Sequence, residues 1–361
     1  MTRILVAPDK FKGTLTAGAA AAAISLGWRR VRPFDVVVEL PMADGGDGTA
    51  AIIASADGAA TWSTVRAVDA IGNPRQVHYP VLSDGTAVVE LASICGLADL
   101  DAPAPVSSHT YGLGMVLSHA ARECQRIMVA LGGSASTDGG FGALRALGAI
   151  FLDANSDQVL QADDARDVHG VDLSELVSAP AAGVELLVDC TATLTGTDGA
   201  ATVFGPQKGA TDADIALLEK RLSRLAAALG GAPAFPGSGA AGGAAFGLAA
   251  GWGARIVSGS AAVADLLGLA KASEAADLVI TGEGRYDETS AAGKVCGEVQ
   301  RIARDRRVRC EVIAGSVAAD LVGCDLSVLA GGAEKSLMNP EYWLASGAAM
   351  LAREFTAAER S

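Results

Sequence analysis

Continuous apolar runs at 4–7, 36–40, 129–131, 186–188 and 278–281 each end in a loop of small and acidic residues. Runs of this length, rich in Val, Ile and Leu and without polar alternation, suit strands buried on both faces of a parallel sheet. Between the first two runs, 17–28 is Ala-rich and follows Thr16, a residue type that caps helix N-termini, so a helix is predicted there. A second helix is predicted at about 49–56. The stretches 77–82 and 86–91 flank Ser83-Asp84-Gly85 and read as a hairpin. A helix over 112–123 and a strand over 126–131 follow. Thr211-Asp212-Ala213-Asp214 resembles a capping box opening an amphipathic helix that runs to about 229. Strand and helix patterns alternate again after 258, with strands expected near 277–281, 311–314 and 326–329 and a closing helix over about 340–355.

This order predicts an α/β protein whose two chain ends share one parallel, doubly wound sheet. The first domain would comprise 1–60 and 258–361, and 61–257 would be an inserted mixed α/β domain. Ligands usually sit at domain junctions, so the active site is expected in the cleft between the two.

Composition narrows the class. Half of the 361 residues are hydrophobic, which excludes a disordered chain. Aromatics are only 4%, and no segment has a membrane-spanning run of bulky apolar residues. Met1-Thr2-Arg3 leads directly into an apolar strand pattern with no signal-peptide features, so a cytoplasmic protein is expected. The six cysteines form no CxxC pair and fit a reduced thiol set. A net charge of −13 argues against a nucleic-acid partner and leaves room for one nucleotide in a locally basic pocket.

The loops carry the chemistry. They are Pro8-Asp9-Lys10-Phe11-Lys12-Gly13, Ala43-Asp44-Gly45-Gly46-Asp47-Gly48, Gly132-Gly133-Ser134-Ala135-Ser136-Thr137-Asp138-Gly139-Gly140, Asp189, and Gly282-Glu283-Gly284-Arg285-Tyr286-Asp287. Glycine lets backbone N–H groups approach an anion closely, and open α/β sheets bind ligands beyond the carboxyl ends of their strands. Lys10, Lys12, Lys208, Arg285 and Lys294 lie inside Gly-rich loops of an acidic chain, which suggests a polyphosphate ligand. Phe204-Gly205-Pro206-Gln207-Lys208-Gly209-Ala210, just before the capped helix, offers a lysine and a helix N-terminus to an anion. Standard signatures fail. Gly293-Lys294 lacks the earlier glycine and the Ser/Thr of a Walker loop. Gly237-Ser238-Gly239-Ala240-Ala241-Gly242 fits GxGxxG, but Pro233 and Pro236 precede it instead of a strand. The four histidines have no metal-ligand spacing.

These motifs, in this order and spacing, resemble the type I glycerate kinases over essentially the whole chain. The matching segments are residues 7–17, 41–49, 132–140, 204–210 and 279–287, with Gly293-Lys294. The resemblance implies ATP-dependent phosphorylation of D-glycerate, with 2-phosphoglycerate favoured over 3-phosphoglycerate. It also implies a flavodoxin-like domain plus a second α/β domain. The chain departs from the family pattern at Asp47, where Glu is usual, and at Thr137, where Asn is usual. It departs again at Ala192-Thr193, in place of Asn-Pro, and at Thr289, in place of Gln.

With ATP and Mg²⁺ as cofactors, the expected metal ligands are Asp189 and Glu283. Asp287 is the expected proton acceptor. Lys12, Arg285, Lys294 and Lys208 would hold phosphates or the glycerate carboxylate. Asp44 and Asp138 complete the acid set, while Gly132, Gly133, Ser134, Gly239 and Gly242 would supply a nucleotide cradle. Two alternatives stand beside this reading: an NAD-linked oxidoreductase using the Gly237 loop, and a diverged ligand-binding protein without catalysis.

Overall fold

A computed structural model describes residues 2–161, 167–291 and 294–355. Its strands, in chain order, are β1 (Arg3–Val6), β2 (Val36–Glu39), β3 (Thr61–Val68), β4 (Pro74–Val81), β5 (Thr86–Glu90), β6 (Arg126–Ala130) and β7 (Ile150–Leu152). They continue with β8 (Gly170–Asp172), β9 (Val184–Val188), β10 (Arg255–Ser258), β11 (Leu278–Tyr286), β12 (Arg309–Val317) and β13 (Cys324–Asp325). The chain divides into two compact units, one reaching Asp44 and resuming at Gly259, the other running from Gly45 to Ser258.

The first unit is a parallel sheet of order β13-β12-β11-β1-β2. Numbered within the unit this is 2-1-3-4-5, the flavodoxin-like order, so both chain ends do build one doubly wound sheet. Ile4, Val6, Leu278, Ile280 and Ile313 form its buried strand face. The helices Ala17–Val31 and Pro340–Glu354 cover it with Ala20, Ile24, Trp28, Leu344 and Ala348. The first of these helices starts where its cap residue predicts, with Thr16 Oγ1 accepting the Ala19 N–H at 3.2 Å.

The second unit centres on a sheet of order β10-β9-β6-β5-β4-β3. β5, β6, β9 and β10 are parallel, and β3 and β4 add antiparallel strands at one edge. Helix Asp212–Leu229 opens with the predicted capping box. Among the described residues no helix is long and apolar enough to cross a membrane.

Several expectations need correction. The segment 326–329 is helical (Leu326–Leu329), because Asp325 accepts the Ser327 and Val328 N–H groups and caps it, leaving β13 only two residues long. β11 continues through Gly282-Glu283-Gly284-Arg285 to Tyr286, since β12 offers it a parallel partner from Arg309 to Val317. Those residues look like a turn locally, and strand pairing overrides that preference. Helix Thr49–Asp57 belongs to the second unit, where it packs on β4 and β5, so the first unit's opening segment ends at Asp44 instead of near 60. β3 is an additional strand, pairing with β4 along its whole length.

Candidate active site

In the first unit the strand order reverses between β1 and β11, the topological switch point at which open α/β sheets hold ligands. The chain leaving β1 stays against β11, with the Ala7 N–H bonded to the Ile280 carbonyl and the Asp9 N–H to that of Gly282, both at 2.8 Å. This places Asp9 beside Glu283. Both carboxylates are buried. Burial first, then the negative charge of Asp44, pushes the Asp9 carboxyl up to about 7, with Lys10 opposing and Glu283 adding to the rise. Burial also raises the Glu283 carboxyl, against the pull of the Cys296 thiol, the Ser290 hydroxyl and the Lys294 charge. Ser290 Oγ donates to Glu283 Oε2 at 2.9 Å, while Glu283 Oε1 is buried with no hydrogen-bond partner. A buried carboxylate oxygen left without a donor costs free energy and suits a cation or a donor group from a ligand.

Arg285 lies on β11 with a largely exposed side chain, its Nε 3.3 Å from Asp287 Oδ2. Asp287 follows β11 directly. Its Oδ1 accepts the Thr289 hydroxyl at 2.6 Å and the Thr289 and Ser290 N–H groups at 3.1 and 3.2 Å, which starts the short helix Glu288–Ala291. Those bonds, the Thr289 hydroxyl foremost, hold its carboxyl below the usual carboxylate range. Lys12 is exposed in the turn closed by the Phe11–Leu15 bridge. Lys294 occupies the N-cap of helix Val295–Asp305, and its neighbour Gly293 lies outside the described residues.

The second unit also gathers loops at the carboxyl ends of its parallel strands. After β6, residues 132–140 wrap a fully satisfied carboxylate. Asp138 Oδ2 accepts the Thr110 N–H and hydroxyl at 2.8 Å each and the Gly142 N–H at 3.0 Å, and its Oδ1 accepts the Gly140 N–H at 3.1 Å. Lys208 is buried under the same loop, its Nζ donating to the Ser136 carbonyl at 2.5 Å and to Thr137 Oγ1 at 3.5 Å. Burial lowers its ammonium from 10.5 to about 8, and Asp138 resists that shift. The expected phosphate-binding lysine is therefore an internal support of the loop. Gly242 has φ +65°, and a Cβ there would lie 2.0 Å from the Ser136 carbonyl oxygen, so the Gly237 segment packs on the back of the same loop. The element before that segment is helix Asp212–Leu229, so the strand–turn–helix context of a dinucleotide fingerprint is absent. Gly239 likewise packs tightly, on the Thr193 carbonyl.

Asp189 ends β9 and accepts the Ser258 hydroxyl from the end of β10 at 3.1 Å. At the end of β5, buried Glu90 accepts the Gly48 N–H at 3.0 Å and the Ala50 N–H at 3.2 Å. The turn those amides belong to is fixed again by the Gly132 N–H, bonded to the Gly45 carbonyl at 3.1 Å. Gly45 adopts φ +87°, and a Cβ there would lie 2.8 Å from that of Leu187. Among the described residues no group of three or more His, Cys, Asp or Glu side chains is placed to hold a metal by itself.

Glu90, Asp9 and Thr110 are absent from the residues chosen on sequence. Glu90 does carry a signal, an acid closing the apolar run Val88-Val89 as Asp189 closes Leu187-Val188. Thr110 carries none, because its partner Asp138 lies 28 positions away.

The fold and these strand-end loops define an α/β enzyme in which each unit carries polar groups at the carboxyl ends of its parallel strands. The sequence matches the model of the glycerate kinase family over residues 4–336. It is 35% identical over 337 residues to the glycerate 2-kinase of Escherichia coli K12, covering 88% of this chain and 86% of that one. It is 34% identical over 336 residues to the glycerate kinase of Bacillus subtilis 168, with 88% and 86% covered. A crystal structure assigned to glycerate kinase 2 of Salmonella typhimurium LT2 superposes with a TM-score of 0.80 at 32% identity, covering 98% of each chain. The chain belongs to the glycerate kinase family, and it is a kinase.

Proposed function

We propose that this kinase transfers the γ-phosphoryl group of ATP to D-glycerate, with Mg²⁺ bound and the 2-hydroxyl as the favoured acceptor. The observation that carries the chemical part of this reading is the buried, unpartnered Oε1 of Glu283 beside Asp9 at the β1/β11 switch point. Oxygen donors without histidine or thiolate clusters fit a hard cation, and Mg²⁺ takes one or two carboxylates with water and substrate phosphates supplying the rest. Glu283 is the residue of the first unit we assign to it, and when bound the ion would neutralise developing phosphate charge.

The chain's own groups account for the other requirements. Arg285, Lys12 and Lys294 supply cations for phosphate or for the glycerate carboxylate. The Gly133 and Ser134 backbone offers amides to the nucleotide, the Gly132 N–H being spent on the Gly45 carbonyl, and buried Lys208 and Asp138 keep that loop in shape. Two carboxylates compete for the acceptor hydroxyl's proton. Asp287 was favoured on sequence, yet its Oδ1 is engaged as a helix cap and its carboxyl is held acidic. Asp9, with its carboxyl pushed up to about 7, is better matched to proton transfer near neutral pH. Asp44 contributes negative charge that keeps Asp9 basic.

The test is phosphoryl transfer from ATP to a panel of hydroxy acids, with the product identified by ³¹P NMR. D-glycerate should be the best acceptor and 2-phosphoglycerate the product, and EDTA should abolish turnover until Mg²⁺ or Mn²⁺ is restored. Full activity in metal-free buffer would exclude the cation, and no turnover with any acceptor would favour a ligand-binding role.

A further inference from the structure

Glu90 is a buried carboxylate that none of the roles above uses. It stands at the end of β5 and spends both oxygens on the backbone of another segment, Oε1 on the Gly48 N–H and Oε2 on the Ala50 N–H. The Asp47 carboxyl lies close enough to raise the Glu90 carboxyl. Burial raises the Glu90 carboxyl above its usual range, the two backbone N–H groups oppose that, and Asp47 adds to it.

The segment so held has no side-chain cap of its own. Helix Thr49–Asp57 begins at Gly48, which has φ +91° and no side chain to cap the helix. Glu90 reaches in from a neighbouring strand to take the role an N-cap side chain normally fills, and its negative charge suits the helix N-terminus. The turn has further restraints, the Gly132 N–H bond to the Gly45 carbonyl, the Thr49 N–H and hydroxyl bonds to the Gly46 carbonyl at 3.3 and 2.6 Å, and the Ile52 N–H bond to the Gly48 carbonyl at 3.2 Å. Glu90 also lies beside Asp47, the acid at which the chain departs from the family pattern.

We propose that Glu90 is a positioning residue for phosphoryl transfer, fixing the 45–48 turn through the Gly48 and Ala50 amides and, with it, the neighbouring Asp47 carboxyl. Its part in the reaction rests on the kinase reading above, whereas the anchoring of the turn does not. Displacing reacting or orienting groups by about 1 Å costs on the order of 10²-fold in rate. A brace that served only the fold would lower stability and leave the kinetics of the folded enzyme alone.

The experiment compares the full-length wild type with Glu90→Gln, Glu90→Asp, Asp47→Asn and the double variant Asp47→Asn/Glu90→Gln. Glu90→Gln keeps the length but turns an amide donor toward one of the two N–H groups, and Glu90→Asp keeps the charge but withdraws it by one methylene. Hydrogen exchange of a peptide spanning residues 44–52 should accelerate at least tenfold in both Glu90 variants, with other peptides of the second unit unchanged. The kcat/KM for D-glycerate should fall by about 10–100-fold in both, and the double variant should be no worse than the more severe single one. Unchanged exchange at 44–52 would overturn the anchoring, and so would global loss of protection. Normal kcat/KM with only a lower Tm, or strictly additive losses, would overturn the positioning role. A wild type inactive with every acceptor would defeat the kinase reading and the positioning role with it, and the exchange arm would still decide the anchor.

Discussion

The two units build strand-end loops from similar residues and leave them in opposite states. Around residues 132–140 each polar demand is met inside the protein. Asp138 accepts four hydrogen bonds and Lys208 is buried against the Ser136 carbonyl. Around β1 and β11 the demands are left open. Asp9 and Glu283 are buried near another acid, their carboxyls are raised, and Glu283 Oε1 has no donor. Satisfied buried networks hold shape, whereas unsatisfied ones store free energy that a ligand can release. The 132–140 loop is thus a well-braced frame, and the β1/β11 cluster is the place where donor groups from a ligand would bring the greatest change.

The largest effect expected from this contrast is kinetic. Asp9→Asn and Asp287→Asn should be compared for kcat at constant folded fraction. If the open cluster supplies the proton acceptor, Asp9→Asn lowers kcat by about 10²–10⁴-fold and Asp287→Asn by far less. The reverse ranking would return the role to Asp287 and make Asp9 an electrostatic neighbour.

Next comes stability, where the open cluster should run against habit. The folded-state carboxyl of Asp9 lies at about 7 against an ordinary 3.8, so between those values the folded protein holds more protons than the unfolded one. Stability from this group falls as pH rises through the window, and its cost is complete above 7. Asp9→Asn should therefore be more stable than the wild type at pH 8, by about 2–4 kcal/mol, and equal to it near pH 4. Thermal unfolding at the two pH values measures this, and an Asn variant less stable at pH 8 would show that Asp9 is satisfied in the folded chain.

In the closed frame the same kind of change should hurt. Thr110→Val removes a hydroxyl that donates to Asp138 and accepts the Ala143 N–H at 2.9 Å. A loss of about 1–3 kcal/mol is expected by chemical denaturation, with the slope m unchanged. No loss would mean that the loop relaxes and the frame is softer than its bonds imply.

The smallest effect concerns Lys208. Its ammonium is lowered from 10.5 to about 8, so between those values the unfolded chain holds more protons and the lysine's contribution to stability rises with pH. Measured as wild type minus Lys208→Met, stability should increase by about 1–2 kcal/mol between pH 7.5 and 9.5. A flat difference would place the ammonium in contact with water.

Much of the architecture is written locally. Thr16 and the 211–214 capping box start their helices as their side chains dictate, and the Val-rich runs are buried strands because no other element hides them on both faces. Alternation at both chain ends determined the split flavodoxin-like sheet, and the order of glycine and acid motifs determined the family. Tertiary structure decided what local preference cannot encode. β11 runs on to Tyr286 because β12 lies alongside, and that moves Asp287 from a loop interior to a strand end where its own neighbours cap it. Lys208 reads as an anion-binding cation until the fold buries it under Ser136, and Glu90 reads as the end of a hairpin strand until Gly48 arrives from 42 positions away. Hydrogen-bond partners and desolvation depend on residues distant in the chain, so the sequence named the acids and cations, and only packing decided which are satisfied and which remain free to act.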